Sequence, residues 1–113
     1  MTEIKTYKKD TIYFINVIGE IDAGSSIHLD NALKKAVEDE EKKIAIDLSE
    51  LTYISSAGLG VFISHLDEFE NIETQMVLFG VIESVKEVFL ILGLEKLLKI
   101  VETHDEAIKA LNE

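Results

Sequence analysis

The chain predicts a single α/β domain over residues 1–113, built on a mixed, mostly parallel sheet of about five strands with about four helices. Three observations lead there. Short β-branched and apolar runs alternate with stretches of helical spacing, the pattern of strand–helix–strand crossovers that make parallel sheets. Only Lys8-Lys9-Asp10 separates the first two strand-like runs, so these two form an antiparallel hairpin at the start. No linker, repeat or low-complexity segment interrupts the chain, and 113 residues are enough for one core.

Ile4 to Tyr7 is the first strand and Thr11 to Gly19, rich in β-branched and aromatic residues, the second. Glu20 to Gly24 is a loop. Ser25 or Ser26 then caps a helix with Leu29, Ala32, Leu33, Ala36 and Val37 on its apolar face. Glu38-Asp39-Glu40-Glu41 closes that helix as a solvated charge run. Ile44 to Leu48 is almost continuously apolar, as suits a strand covered on both faces. After a serine-containing loop, Leu59, Phe62, Ile63, Leu66 and Phe69 fall on one face of a helix that runs to about Glu70. Gln75 to Phe79 is a strand, with Gly80 as a break. Ile82, Val85, Phe89 and Leu92 mark a third helix, with Gly93 at the C′ position just past its end. Leu97 to Val101 is the last strand. Thr103 and Glu106 then form a capping box for a short helix through Ala107, Ile108 and Leu111.

Composition narrows the function. Eleven Lys and Arg against 22 Asp and Glu give a net charge of −11. Nonspecific nucleic-acid binding rests on cationic contacts to phosphate, and so does adhesion to an anionic membrane; neither suits this chain. A basic protein surface is the better partner. The chain has no Cys, hence no disulfide framework and no thiol chemistry. The N-terminus lacks a signal pattern and no apolar run approaches the length of a membrane span, so the expectation is a cytoplasmic domain.

Few residues carry chemistry. Ser56 stands before the helical run as its expected N-cap, where a helix end stabilises negative charge, so a phosphate there meets favourable electrostatics. Gly58 and Gly60 each cost a helix about 1 kcal/mol against Ala. Two glycines in a first turn imply close approach by another backbone or by a partner. Asp22 has two readings of equal weight: an acidic contributor near the serine loop, or an Asx-turn residue before the first helix. Asp47 is expected to bond loop N–H groups after its strand and so stiffen the loop. Val61 and Ser64 fall opposite Leu59, Phe62 and Leu66, with Gly60, Asp67 and Glu68, and make a small docking patch.

His28, His65 and His104 show no metal-ligand spacing, so no metal is expected; His65 belongs to the surface or to the edge of the core. No Walker loop and no Gly-x-Gly-x-x-Gly is present, so no cofactor is expected. A nucleophile elbow needs Gly two residues before the serine, where Ile54 stands, so an enzyme acting through Ser56 is a remote alternative and the chain is read as a non-enzyme.

The segment Leu48-Ser49-Glu50-Leu51-Thr52-Tyr53-Ile54-Ser55-Ser56-Ala57-Gly58-Leu59-Gly60 resembles the phosphorylation-site segment of bacterial anti-sigma factor antagonists, the STAS domain family. Gly19-Glu20-Ile21-Asp22-Ala23 and the order of elements along nearly all of the chain add to the resemblance. The family pattern is Asp-Ser-(Ser/Thr/Ala)-Gly-Leu-Gly. Ser56 aligns with the phosphorylated serine; Ser55 stands where many members carry Asp, and is the second candidate acceptor. The resemblance implies a regulatory switch. Unphosphorylated, it binds an anti-sigma factor that is itself a serine kinase and so frees a sigma factor; the kinase modifies Ser56 and a serine phosphatase restores it. Asp22, Ser55, Ser56, Gly58, Gly60, Val61 and Ser64 are then the partner-binding residues. Some family members are associated with nucleotide binding, a minor expectation here. A non-switching STAS scaffold within a larger assembly is the rival reading.

Overall fold

The computed structural model describes residues 1–113. In chain order its elements are β1 (Thr2–Lys9), β2 (Ile12–Ile21), α1 (Ser26–Glu38), β3 (Lys43–Asp47), β4 (Leu51–Ile54), α2 (Ser56–Ser64), α3 (Leu66–Asn71), β5 (Gln75–Phe79), α4 (Glu83–Ile91), β6 (Lys99–Val101) and α5 (His104–Asn112). One 3-10 turn, Leu94–Lys96, lies between α4 and β6. The sheet order is β1-β2-β3-β5-β6. β1 pairs antiparallel with β2 and the other pairings are parallel. No helix is long and apolar enough to cross a membrane.

Alternation of side chains along the strands divides the interior into two cores. Ile15, Val17, Ile44, Ile46 and Leu78 join the larger core with Leu29, Leu33, Phe62, Phe69, Val85 and Phe89 from the helices. Ile12, Phe14, Ala45, Val77 and Phe79 point the other way and meet Ala107 and Leu111 of α5. β3 is therefore covered on both faces, as its apolar run predicts. On the thinner side His104 extends the packing: its ring stacks on Phe14 at 5.2 Å, and Phe14 stacks on Tyr7 at 4.8 Å.

Four expectations are corrected. First, the segment between β3 and α2, read as a loop, holds a sixth strand of the sheet, β4, at Leu51–Ile54. Only its ends are apolar and buried, Leu51 and Ile54, so four residues leave no periodic signature. β4 exists because β2 changes partner: Tyr13 to Asn16 pair with β3, then the register shifts at Gly19, and Gly19 to Ile21 pair with β4. Gly19 has φ +91°, and the Met1 carbonyl occupies the place of a Cβ there. Second, the helix expected to run to Glu70 breaks into α2 and α3 at His65. Third, Leu92 and Leu97 are exposed; the apolar stripe of α4 ends at Phe89 and β6 starts only at Lys99. Fourth, β2 runs on to Ile21 instead of ending at Gly19. Local signals hold better. Gly93 sits left-handed at φ +70° beyond α4, and both bonds of the Thr103–Glu106 capping box form.

Candidate functional site

β2 and β4 run in parallel and end side by side, Ile21 opposite Ile54. Ser55 N–H donates to the Ile21 carbonyl at 2.8 Å. Asp22 and Ser55 thus leave the sheet from adjacent strand ends, at the start of α2. The bond also holds Ser55 in extended backbone, ψ 169°, the geometry of an N-cap. Its Oγ accepts from Gly58 N–H at 3.2 Å. Ser55, not Ser56, is therefore the cap. Ser56 is the first residue of the helix; it is exposed, and its hydroxyl is not spent on capping.

The sequence of α2, Ser-Ala-Gly-Leu-Gly-Val-Phe-Ile-Ser, contains no charged side chain, and its first turn has no acidic residue to answer the helix dipole. Its two glycines have different reasons. A Cβ on Gly58 would lie 2.6 Å from Ile21 Cγ2 and 2.8 Å from Ile54 Cγ1. The close approach expected at Gly58 is thus internal: this buried glycine lets α2 settle on the ends of β2 and β4. A Cβ on Gly60 would meet nothing within 4 Å. The chain's own packing does not require glycine there.

The apolar face of α2 is rotated from the expected one. Gly58, Leu59 and Phe62 are buried and Val61 is half-buried against the larger core, whereas Ile63 is 38% exposed. Val61 accordingly does not lie on the open face. That face comprises Ser56, Ala57, Gly60, Ile63 and Ser64, with the Ser64 hydroxyl bonded back to the Val61 carbonyl at 2.8 Å. The sequence reading misses Ile63 because it counts that residue into the apolar stripe with Leu59 and Phe62, and leaves Ala57 unassigned; treating Gly58 as a buried position turns the face to where it lies.

Asp22 takes the turn role. Its Oδ1 accepts from Ser25 N–H at 2.7 Å and from the Ser25 hydroxyl at 2.9 Å, and the Ser25 Oγ accepts from Asp22 N–H at 2.9 Å. The backbone N–H of Ser25, followed by its hydroxyl, holds the Asp22 carboxyl below its ordinary pKa. The carboxylate is thereby committed to the start of α1. The structure brings Asp22, Ser55 and Ser56 together at one end of the sheet, with Gly60 and Ser64 further along α2.

Residues 3–107 match the STAS domain family. The chain belongs to the STAS domain family. It is 33% identical over 104 residues to the anti-sigma-B factor antagonist of Listeria monocytogenes, covering 91% of each chain. It is 28% identical over 99 residues to the protein of that name from Staphylococcus aureus, covering 88% of this chain and 92% of the other. In three dimensions it resembles an anti-sigma factor antagonist from Mycobacterium paratuberculosis, with a TM-score of 0.92 and 23% identity over 100% of this chain and 96% of that one. The Bacillus antagonist SpoIIAA in its phosphorylated form has the same fold at a TM-score of 0.72 and 19% identity, covering 97% of this chain and 98% of that one.

Two further contacts brace this STAS domain around the site. Asp47 Oδ1 accepts from the N–H and the hydroxyl of Ser49, at 2.9 and 2.7 Å, and so fixes the turn between β3 and β4. That is the loop-stiffening role expected of Asp47, acting one strand before the serines. His65 lies at the core edge, 6% exposed, where Nε2 meets Asp30 Oδ1 of α1 at 2.7 Å. Lys34 holds the other Asp30 oxygen at 3.0 Å. The His65 bond, then that of Lys34, keeps the Asp30 carboxyl below its ordinary pKa. The break between α2 and α3 is thus tied to α1.

Proposed function

We propose that this STAS domain is an anti-sigma factor antagonist that works by partner switching in the cytoplasm, without catalytic turnover of its own. Unphosphorylated, it binds an anti-sigma factor of the serine-kinase type and so releases a sigma factor. Phosphorylation of Ser56 breaks that complex, and a serine phosphatase restores it. One observation carries the reading: Ser55 makes the cap, so the neighbouring Ser56 hydroxyl stays exposed on the first turn of an uncharged helix. The relatives named anti-sigma-B factor antagonist support the class of partner.

Phosphate on Ser56 adds about −1.5 to −2 charge at neutral pH. The end of α2 carries roughly +0.5 elementary charge, so the group is accommodated locally and the fold has no reason to rearrange. The Asp22 Oδ1 is spent on the N–H and hydroxyl of Ser25 at the start of α1, and α2 is capped by Ser55 instead. A partner docked over Ser56 and the open face of α2, centred on Gly60, Ile63 and Ser64, must instead desolvate a doubly charged group. Discrimination then arises at the interface. The test is to incubate the domain with its kinase and map the modified peptide. Phosphate on Ser56 and its loss in Ser56→Ala are expected; phosphate on Ser55 alone, or undiminished labelling of Ser56→Ala, would overturn the assignment.

A further inference from the structure

The outermost strands of the order β1-β2-β3-β5-β6 are built differently. β1 is eight residues long and presents Lys5, Lys8 and Lys9, charges that discourage pairing with another chain. β6, the opposite edge, has a single cation, Lys99, before the half-buried Ile100 and Val101. Its outer backbone groups have no neighbouring strand. Beside it, α4 leaves a cleft of about 410 Å³. Buried Phe89 and half-buried Val81 and Ile100 form its apolar walls, and Leu90 stands at the lip, 49% exposed. Past the lip Ile91 is 81% exposed, followed by Leu92 and Leu97 at 55% and 58%. So much apolar surface within one short segment marks a contact site on a protein otherwise rich in charge.

The rim identifies the occupant. Glu83, Glu95 and Glu102 line the cleft against one cation, Lys86. None of the three carboxylates is paired; the ion pairs of the chain involve β1, β2, α1, α3, α5 and their flanking residues. A second cleft, on the other side of the 3-10 turn, sets Asp67 and Glu70 against Lys96 and Lys99 and has no such excess. We propose that the β6 edge and this cleft form a second docking surface, which takes an extended, basic and apolar peptide segment of a partner protein as an added strand. Three residues of β6 offer few main-chain bonds, so apolar side chains seated against Phe89 and Leu90 supply much of the affinity and the carboxylates select cations. A second copy of the chain is the poorer occupant, because two molecules of net charge −11 repel. The surface is separate from Ser56 and does not rest on the switching mechanism.

The test is selection of a random displayed peptide library on the full-length chain. Enriched peptides are expected to alternate Lys or Arg with Val, Ile or Leu. A synthetic peptide of that consensus should shift the amide resonances of Val81, Leu90 and Ile100 to Glu102 and leave Ser55 to Ser64 unmoved. The double variant Glu83→Lys/Glu102→Lys should weaken it tenfold or more, as should Leu90→Glu; all three positions are exposed, so the fold survives. N-methylation of alternate peptide residues should weaken it similarly. The proposal is overturned if no peptide is enriched or the consensus is acidic. Shifts centred on β1 or α2, unchanged affinity in both variants, or oligomers that Leu90→Glu disperses would equally overturn it.

Discussion

α2 and α5 are each nine residues long and begin in opposite ways. At α5, Thr103 and Glu106 bond reciprocally, and Asp105 and Glu106 place two carboxylates in the first turn. The free N–H groups and the dipole are answered by the helix's own side chains. At α2 one hydroxyl, that of Ser55, makes one bond, and no acidic residue follows. Two glycines weaken the first turns further. What holds this end is the rest of the molecule: the Ser55–Ile21 main-chain bond and the seating of Gly58 on Ile21 and Ile54. A helix end completed by its own sequence is a structural part. One left electropositive and supported from below keeps room for an anion supplied from outside.

The contrast can be broken most sharply at Gly58. Gly58→Val forces a branched side chain into contacts already at 2.6 and 2.8 Å for a bare Cβ. Overpacking of this kind costs about 1–3 kcal/mol, more than a better helix former returns. The urea midpoint should fall clearly and partner binding should go with it; an unchanged midpoint would mean that α2 is not held by this contact.

Ser56→Asp should act on binding rather than on folding. Affinity for the anti-sigma factor is expected to drop at least tenfold, about 1.4 kcal/mol. Stability should hold or rise by about 0.3–1 kcal/mol, because the new carboxylate meets an unanswered dipole. Titration calorimetry beside thermal melts separates the two. A steep fall in melting temperature would make the switch conformational.

The caps themselves come next. Thr103→Ala loses a reciprocal pair of bonds and should cost about 1 kcal/mol without touching partner affinity. Ser55→Ala loses one bond and should cost less in folding, yet it loosens the turn that presents Ser56 and should slow phosphorylation. Denaturation curves and initial rates of labelling test the pair; the reverse order of stabilities would undo the comparison.

The smallest effect is that of pH on Asp22. Its folded-state pKa lies below the ordinary 3.8, so its contribution is complete above that value and is lost as pH falls through the folded value. Because the carboxyl is exposed, the loss is a gentle slope. Melting temperature followed from about pH 5 to about pH 2 should fall less steeply in Asp22→Asn than in the parent.

Much of this protein follows from local sequence. The apolar stripe of α1, the unbroken Ile44 to Ile46 of β3, Gly93 after α4 and the Thr103–Glu106 box act over a few residues, so they form wherever they occur. The serine motif and its relation to the STAS family are legible in the same way. The site's detail is not local. β4 is a strand only because β2 shifts register at Gly19 and offers its last residues as a second edge. Either adjacent serine can cap a helix; Ser55 does so because its N–H is drawn to the Ile21 carbonyl, and that leaves Ser56 free. The rotation of α2 that tucks in Val61 and exposes Ile63 follows from where Gly58 meets Ile21 and Ile54. Gly58 and Ile21 lie 37 positions apart, and no pattern within a single helix encodes their contact.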